Sequence, residues 1–248
     1  PNIPLAVVEA KKSRLSVQAG MQQAIHYAEL LDVPFSFASN GEGFVFRDAT
    51  LATGVLEQTL TLDQFPSPQE LWARYCKWKG WTAEVQSVTA FDYALATTAK
   101  APRYYQLNAI NRTVEAIASG QNRVLLVMAA GTGKTYTAFQ IIHRLWKSPW
   151  RADKPSGQKR ILFLADRNIL IDQTMVNDFR PFKGAMAKLS PNAKGIERTN
   201  QQGQVEIEEV DLAVNKTTKL VDKSYEIYLS LYQAVTGTDE ERNIYKQF

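Results

Sequence analysis

The sequence predicts an α/β protein, and three observations carry the prediction. From residue 104 onward apolar strands alternate with amphipathic helices, and that alternation implies a parallel sheet covered by helices on both faces. A Gly-rich turn, Ala129-Ala130-Gly131-Thr132-Gly133-Lys134-Thr135, joins one such strand to the helix that follows it. Ahead of this region, residues 4–48 read as a smaller unit of strand, helix, strand and hairpin.

The elements follow in order. Ile3-Pro4-Leu5-Ala6-Val7-Val8 reads as a buried strand, because an apolar run of this length near a polar boundary has strand dimensions. A helix is expected over residues 17–31, a strand over 34–39, a turn at Asn40-Gly41, and a strand over 43–47. Residues 49–102 are less regular, with Pro66 and Pro68 in a turn, a short helix over 69–77 and a Thr/Ala-rich stretch over 89–101. The later region predicts helix 106–119, strand 124–128, helix 134–146, strand 161–165 and helix 168–179. A polar segment with Glu206, Glu208, Glu209 and Asp211 then leads to a strand over 225–229, and no internal repeat appears. The chain opens at Pro1 without an initiator methionine or signal peptide and ends at Ile244-Tyr245-Lys246-Gln247-Phe248 without a cap, so it is expected to be part of a longer protein.

Composition excludes several classes. With 45% hydrophobic and 22% charged residues in 248, the chain has enough apolar material for a core and is not disordered. No apolar run approaches the ~18 residues of a membrane helix. Cys76 is the single cysteine, so no disulfide framework is available, and a reducing, cytoplasmic location is the expectation. The net charge of +4 permits an anionic partner without requiring one.

Residues 129–135 carry the strongest chemical signal. Binding a nucleotide's phosphates needs glycines that let backbone N–H groups approach the oxygens, a lysine for the outer phosphates and a hydroxyl for Mg²⁺. Gly131, Thr132, Gly133, Lys134 and Thr135 supply these in order, and the helix starting there directs the positive end of its dipole at the anion. The strict G-x-x-x-x-G-K-[ST] template fails at its first glycine, which is Met128. The loop in this variant form resembles that of superfamily 2 helicases and translocases. The resemblance implies ATP and Mg²⁺ as cofactors, with Gln106 reading the adenine. Gln106 equally suits the start of an amphipathic helix, and both readings stay open. Residues 161–167 followed by Asp172-Gln173-Thr174 resemble the family's next motif, in which Arg167 contacts a nucleic-acid phosphate. Residues 225–233 resemble the strand before the family's acidic box. That box, an aspartate for Mg²⁺ and a glutamate to activate water, is absent from these residues and is expected beyond Phe248.

A second signal lies at Val7-Val8-Glu9-Ala10-Lys11. Residues two apart on a strand share a face, so Glu9 and Lys11 can address one metal. Phosphodiester cleavage uses such a pair, the carboxylate holding Mg²⁺ and the lysine steadying charge. Gln23 and Tyr27, four apart, project from one face of the following helix. The order Glu-x-Lys, Gln-x-x-x-Tyr, Asn-Gly resembles the PD-(D/E)xK nuclease domain of type I restriction enzyme motor subunits. That resemblance spans nearly the whole chain once the Gly-rich loop is included.

It implies a partial restriction-endonuclease-like α/β domain followed by the start of a RecA-like parallel-sheet P-loop motor lobe. The expected boundaries are 1–65 for the nuclease part, 66–100 for a connector and 101–248 for the first motor lobe. It further implies Glu9 as metal ligand, Lys11 as catalytic lysine, Gln23 and Tyr27 as supports of the site or contacts to DNA, and Thr135 on the nucleotide's Mg²⁺. The family's aspartate, one strand earlier, has no counterpart after Pro1. The complete subunit would move double-stranded DNA with ATP and cut it, partnered by specificity and methylation subunits. Two alternatives stand beside this: another superfamily 2 remodeller of nucleic acid with an inert first region, or a non-catalytic module that binds nucleotide or DNA.

Other residues carry less. His26, His143 and Cys76 lack zinc-ligand spacing. Arg144, Lys147, Arg151, Lys154, Lys159 and Arg160 form a basic cluster around a Pro/Gly/Ser loop that reads as solvated surface. Trp72, Trp78 and Trp81 read as packing residues rather than base-stacking ones.

Overall fold

The computed structural model describes residues 3–94, 101–149, 159–189, 196–199, 205–208, 210–215 and 220–233. Residues 95–100 of the Thr/Ala-rich stretch, Arg151, Lys154, Glu209 and the terminal residues 244–248 lie outside them. The chain divides into two units, one formed by Pro1–Tyr93, Ala101–Met128 and Lys147–Trp150, the other by Ala94–Lys100, Ala129–Trp146 and Arg151–Phe248.

The first unit is built on a four-stranded sheet, β1 (Ala6–Ala10), β2 (Phe35–Ser39), β3 (Phe44–Asp48) and β4 (Glu57–Leu60), in the order β1-β2-β3-β4. β1 runs parallel to β2, and the remaining pairs are antiparallel. The parallel pair needs a crossover, and α1 (Met21–Leu31), preceded by one 3-10 turn at Val17–Gly20, provides it. Alternation decides which side chains face which layer. Phe35, Phe37 and Phe46 pack on one face against Leu71 and Tyr75 of α2 (Pro68–Lys79), with Trp72 and Trp81 beside them. Ala38, Val45 and Val7 face the other way and meet Met21, Ala24 and Ile25 at the start of α1. Glu9 and Lys11 continue the parity of Val7, so they point to the α1 side.

α2 starts where its capping residues dictate. Ser67 accepts from the Glu70 N–H at 3.2 Å while the Glu70 carboxylate accepts from the Ser67 N–H at 2.7 Å, a reciprocal cap of the kind whose loss costs about 1 kcal/mol. α3 (Ala83–Thr89) and α4 (Tyr104–Ala118) complete the unit, and Glu115 of α4 pairs with Lys79 of α2 at 3.1 Å. The three tryptophans belong to this unit: Trp72 and Trp81 flank Tyr75, and the Lys79 ammonium lies 4.9 Å over the Trp78 ring.

Cys76 is buried in α2, and loss of hydration pushes its thiol up to about 11. A free thiol ionises near 8.5, so at pH 8 the reactive thiolate fraction of Cys76 is lower by about two orders of magnitude. Alkylation with iodoacetamide at that pH is therefore expected to be at least about a hundredfold slower in the native protein than in urea. Equal rates in the two conditions would contradict this burial.

The second unit holds a parallel sheet of β5 (Ile161–Ala165), β6 (Met186–Lys188) and β9 (Ile227–Leu231), with β9 in the centre. α5 (Lys134–Lys147) and α6 (Asn168–Val176) accompany it, and Phe139, Ile171, Phe179, Phe182, Ile227 and Leu229 form its core. β7 (Ile196–Thr199) and β8 (Val205–Glu208) form an antiparallel pair within the segment read as polar. Among the described residues no helix is long and apolar enough to cross a membrane.

Several expectations need correction. β1 begins at Ala6 rather than at Ile3 and is only partly buried, because among the described residues it has one neighbouring strand, and Val8 is half exposed. The helix expected over 17–31 opens as a 3-10 turn and becomes α-helical only at Met21. β4 and α3 form where no element was expected. The strand expected over 124–128 is not assigned as one: no described strand hydrogen-bonds to it, and Leu125 and Val127 are 85% and 90% exposed. An apolar run supplies strand propensity, but a strand exists only where a neighbour accepts its ladder. Coverage on both faces also fails locally, since Leu162 and Leu164 of β5 remain exposed. The strand expected at 225–229 sits two residues later, after a turn in which Asp222 accepts from the Ser224 N–H.

Candidate functional site

The first cluster lies on the α1 side of the first unit's sheet. The Lys11 N–H donates to the Ser39 carbonyl at 2.7 Å, extending the parallel ladder one residue beyond β1 and fixing the lysine backbone. From there Lys11 Nζ donates to Glu9 Oε1 at 2.8 Å and to Gln23 Oε1 at 2.7 Å. Gln23 Nε2 donates in turn to the Tyr27 hydroxyl at 2.8 Å. The four residues predicted from sequence thus form one continuous chain of polar contacts, with the ammonium in the middle. The Glu9 and Lys11 side chains are 17% and 26% exposed, so a solvent-borne ligand can reach them while their charges are less screened than on an open surface.

The hairpin after β2 supports this cluster from below. Asn40 Nδ2 donates to the Leu15 carbonyl at 3.0 Å, and Asn40 Oδ1 accepts from the Glu42 N–H at 3.0 Å. Ser39 Oγ accepts from the Gly41 N–H and donates to the Gly43 carbonyl. The Asn-Gly pair therefore closes a turn and also ties down the segment leading from Lys11 toward α1. Ser39 was not singled out by sequence, and its position at the turn boundary was the available signal.

As a metal site the cluster contributes one anionic oxygen donor, the Glu9 carboxylate, which suits Mg²⁺ by donor type. Among the described residues no group of three His, Cys, Asp or Glu side chains could hold an ion. Glu9 thus fits as one ligand of a shared site and not as a complete one.

The second candidate is the loop before α5. Gly131 and Gly133 take φ of +75° and +85°, a conformation that L side chains rarely adopt and that glycine reaches without strain. Thr132 Oγ1 donates to the Ala129 carbonyl at 2.7 Å, and Lys134 Nζ donates to the same oxygen at 3.1 Å. The Thr137 N–H bonds to the Gly133 carbonyl at 2.9 Å, so helical hydrogen bonding starts at the last glycine. Lys134 and Thr135 accordingly sit in the first turn of α5, whose N–H groups and dipole favour an anion. Gly131, Gly133, Lys134 and Thr135 fit the triphosphate and Mg²⁺ of a nucleotide by conformation and donor chemistry alike.

Arg167 occupies the N-cap position of α6, without a side-chain capping bond, just past the carboxyl end of β5, with its side chain 77% exposed and 3.9 Å from Asp166. Side chains at the carboxyl ends of parallel strands are where such sheets meet their ligands. Of the residues following it, Asp172 accepts from Lys188 Nζ at 2.5 Å and Thr174 is buried, so both hold the unit together. Gln106, in the first unit, is buried, and its Oε1 accepts from the Arg103 N–H at 2.9 Å, closing the first turn of α4.

A restriction-endonuclease-like α/β unit followed by the start of a RecA-like, parallel-sheet P-loop lobe defines a nuclease and helicase-type class of protein. Comparison with known proteins narrows it. The family described as "Type III restriction enzyme, res subunit" matches residues 99–248. The chain is 54% identical over its full length to the EcoAI endonuclease subunit of Escherichia coli, a type I restriction enzyme, and covers 26% of that protein. It is 26% identical over 224 residues to the EcoKI endonuclease subunit of Escherichia coli strain K12, 69% of this chain and 18% of that one. A solved fragment described as an HsdR subunit of a type I restriction enzyme from Vibrio vulnificus YJ016 aligns with 96% of this chain and 36% of that one, at a TM-score of 0.68 and 35% identity. The chain belongs to the restriction (endonuclease) subunit family of type I restriction enzymes, and it spans about a quarter of the length of the EcoAI subunit.

Proposed function

We propose that this chain supplies part of an Mg²⁺-dependent DNA nuclease site and the phosphate-binding loop of an ATP-driven motor that moves double-stranded DNA. The observation that carries the reading is the ammonium of Lys11, held between Glu9 and Gln23 with Tyr27 behind it, on the chain that also bears the loop of Gly131 to Thr135. When bound at Glu9, Mg²⁺ supplies a Lewis acid for the scissile phosphate and lowers the pKa of its water. Lys11 stabilises the negative charge that grows on the phosphate oxygens as water attacks phosphorus and the sugar oxygen leaves. Gln23, oriented by Tyr27, fixes the lysine's position. In the motor unit, Gly131, Thr132 and Gly133 present N–H groups to the phosphates, Lys134 binds the outer ones and Thr135 binds the nucleotide's Mg²⁺. Arg167 takes a backbone phosphate of the DNA.

The relatives' description as type I restriction endonuclease subunits supports specificity and methylation subunits as partners. The test uses the full-length subunit assembled with those partners on unmethylated circular DNA carrying the recognition site. The expected result is double-strand cleavage that requires both ATP and Mg²⁺, together with ATP turnover that DNA stimulates. Cleavage without ATP, or no ATP turnover, rejects the reading.

A further inference from the structure

Gly20 has no conformational reason to be glycine. Its φ of −94° and ψ of −9° are ordinary helical values that any residue adopts, and it stands immediately before the first residue of α1. It is buried, and what lies over its bare Cα is the nuclease cluster. A Cβ at this position would lie 2.9 Å from Glu9 Cγ, 3.5 Å from Glu9 Cβ and 3.4 Å from Lys11 Cγ. These nearest atoms belong to Glu9 and Lys11 and to no other residue.

We propose that Gly20 is a positioning residue for the Glu9 carboxylate, a floor without a side chain on which the stems of Glu9 and Lys11 rest. This rests on the reading of Glu9 and Lys11 as nuclease residues. A contact of 2.9 Å is closer than real Cβ atoms approach, so a methyl group there forces a shift. The atom that yields is Cγ of a flexible side chain, which rotates away while the backbone stays. Glu9 Oε1 is the acceptor for Lys11 Nζ at 2.8 Å, and the same ammonium holds Gln23, so moving Glu9 breaks the polar chain at its metal-binding end. The methyl group therefore acts on the Glu9 side chain, and through it on the carboxylate, before it acts on any backbone atom.

The experiment introduces Gly20→Ala into the full-length subunit assembled with its partners and measures DNA cleavage across a Mg²⁺ titration. ATP turnover and the melting temperature are read on the same samples. Misplacing a reacting group by about 1 Å costs on the order of a hundredfold, and a loss of that size is expected, with a higher Mg²⁺ requirement and unchanged ATP turnover. The Glu9→Ala background removes the clashing Cγ, so any melting shift caused by Gly20→Ala should vanish there. Wild-type cleavage with a wild-type Mg²⁺ requirement in Gly20→Ala overturns the proposal. So does a melting loss that persists in the Glu9→Ala background, which makes the glycine merely structural. If Lys11→Ala also retains cleavage, the nuclease reading itself has failed and Gly20 falls with it. If Lys11→Ala is dead while Gly20→Ala is normal, only the positioning role is lost.

Discussion

Lys134→Ala in the full-length subunit is expected to lower ATP turnover by roughly a hundredfold to a thousandfold, the usual loss when one preorganised group facing transition-state charge is removed. Lys134 begins α5, beyond two glycines in the positive-φ region, so its backbone is placed by the helix and its side chain is the movable part. That side chain now donates to the Ala129 carbonyl at 3.1 Å, a neutral acceptor within its own loop. The outer phosphates of ATP offer anionic acceptors, whose opposite charge attracts the ammonium more strongly than a neutral carbonyl does. Exchanging the one for the other requires only rotation of a lysine side chain that is already exposed at the surface. Alanine removes the cation and leaves the glycines, the helix N-terminus and Thr135 intact, so weak nucleotide binding can persist while turnover collapses. Titration with a fluorescent ATP analogue and a steady-state ATPase assay separate the two effects. Equal affinity and equal turnover in wild type and variant would falsify the assignment of this loop.

How much of this was legible in the sequence depends on the kind of interaction involved. Short-range chemistry was readable: Glu9 and Lys11 share a face because strands alternate, and Gln23 and Tyr27 share one because helices repeat every 3.6 residues. Topology supplied the remaining link, since the parallel pairing of β1 with β2 lays α1 across the face that bears Glu9 and Lys11. Gly20 stayed invisible because its importance lies in a contact across that crossover, and its backbone angles carry no sign of it. β4 was missed for a related reason. Its residues are mostly polar and exposed, and only the ladder to β3 defines them as a strand. Residues 124–128 show the converse: apolar character made them read as a strand, while strand formation depends on a neighbour that the apolar run does not itself provide. In the second unit the parallel sheet was predictable from alternation, but the central place of β9 was not, because strand order is set by which edges pair.

Lys11→Ala in the same full-length assembly is expected to reduce DNA cleavage by on the order of a thousandfold while ATP turnover stays within about twofold of wild type. The separation follows from the geometry. Lys11, Glu9, Gln23 and Tyr27 contact one another on the α1 face of the first unit, whereas the loop carrying Lys134 belongs to the second. Removing the ammonium deletes the donor to Glu9 Oε1 and leaves Gln23 with its bond to Tyr27, so the helix face persists and the charge balance does not. Arginine at this position keeps the charge but replaces a compact ammonium with a planar fork that does not match two acceptors held at 2.7 and 2.8 Å in this arrangement, so Lys11→Arg is expected to rescue little. Cleavage of circular DNA and ATP hydrolysis, followed in one reaction, read both activities at once. Loss of both in Lys11→Ala would mean that the lysine supports the fold or the motor. Loss of cleavage alone assigns the cutting chemistry to the Glu-x-Lys strand, because an ammonium that only braced the unit would be replaced by arginine with cleavage intact.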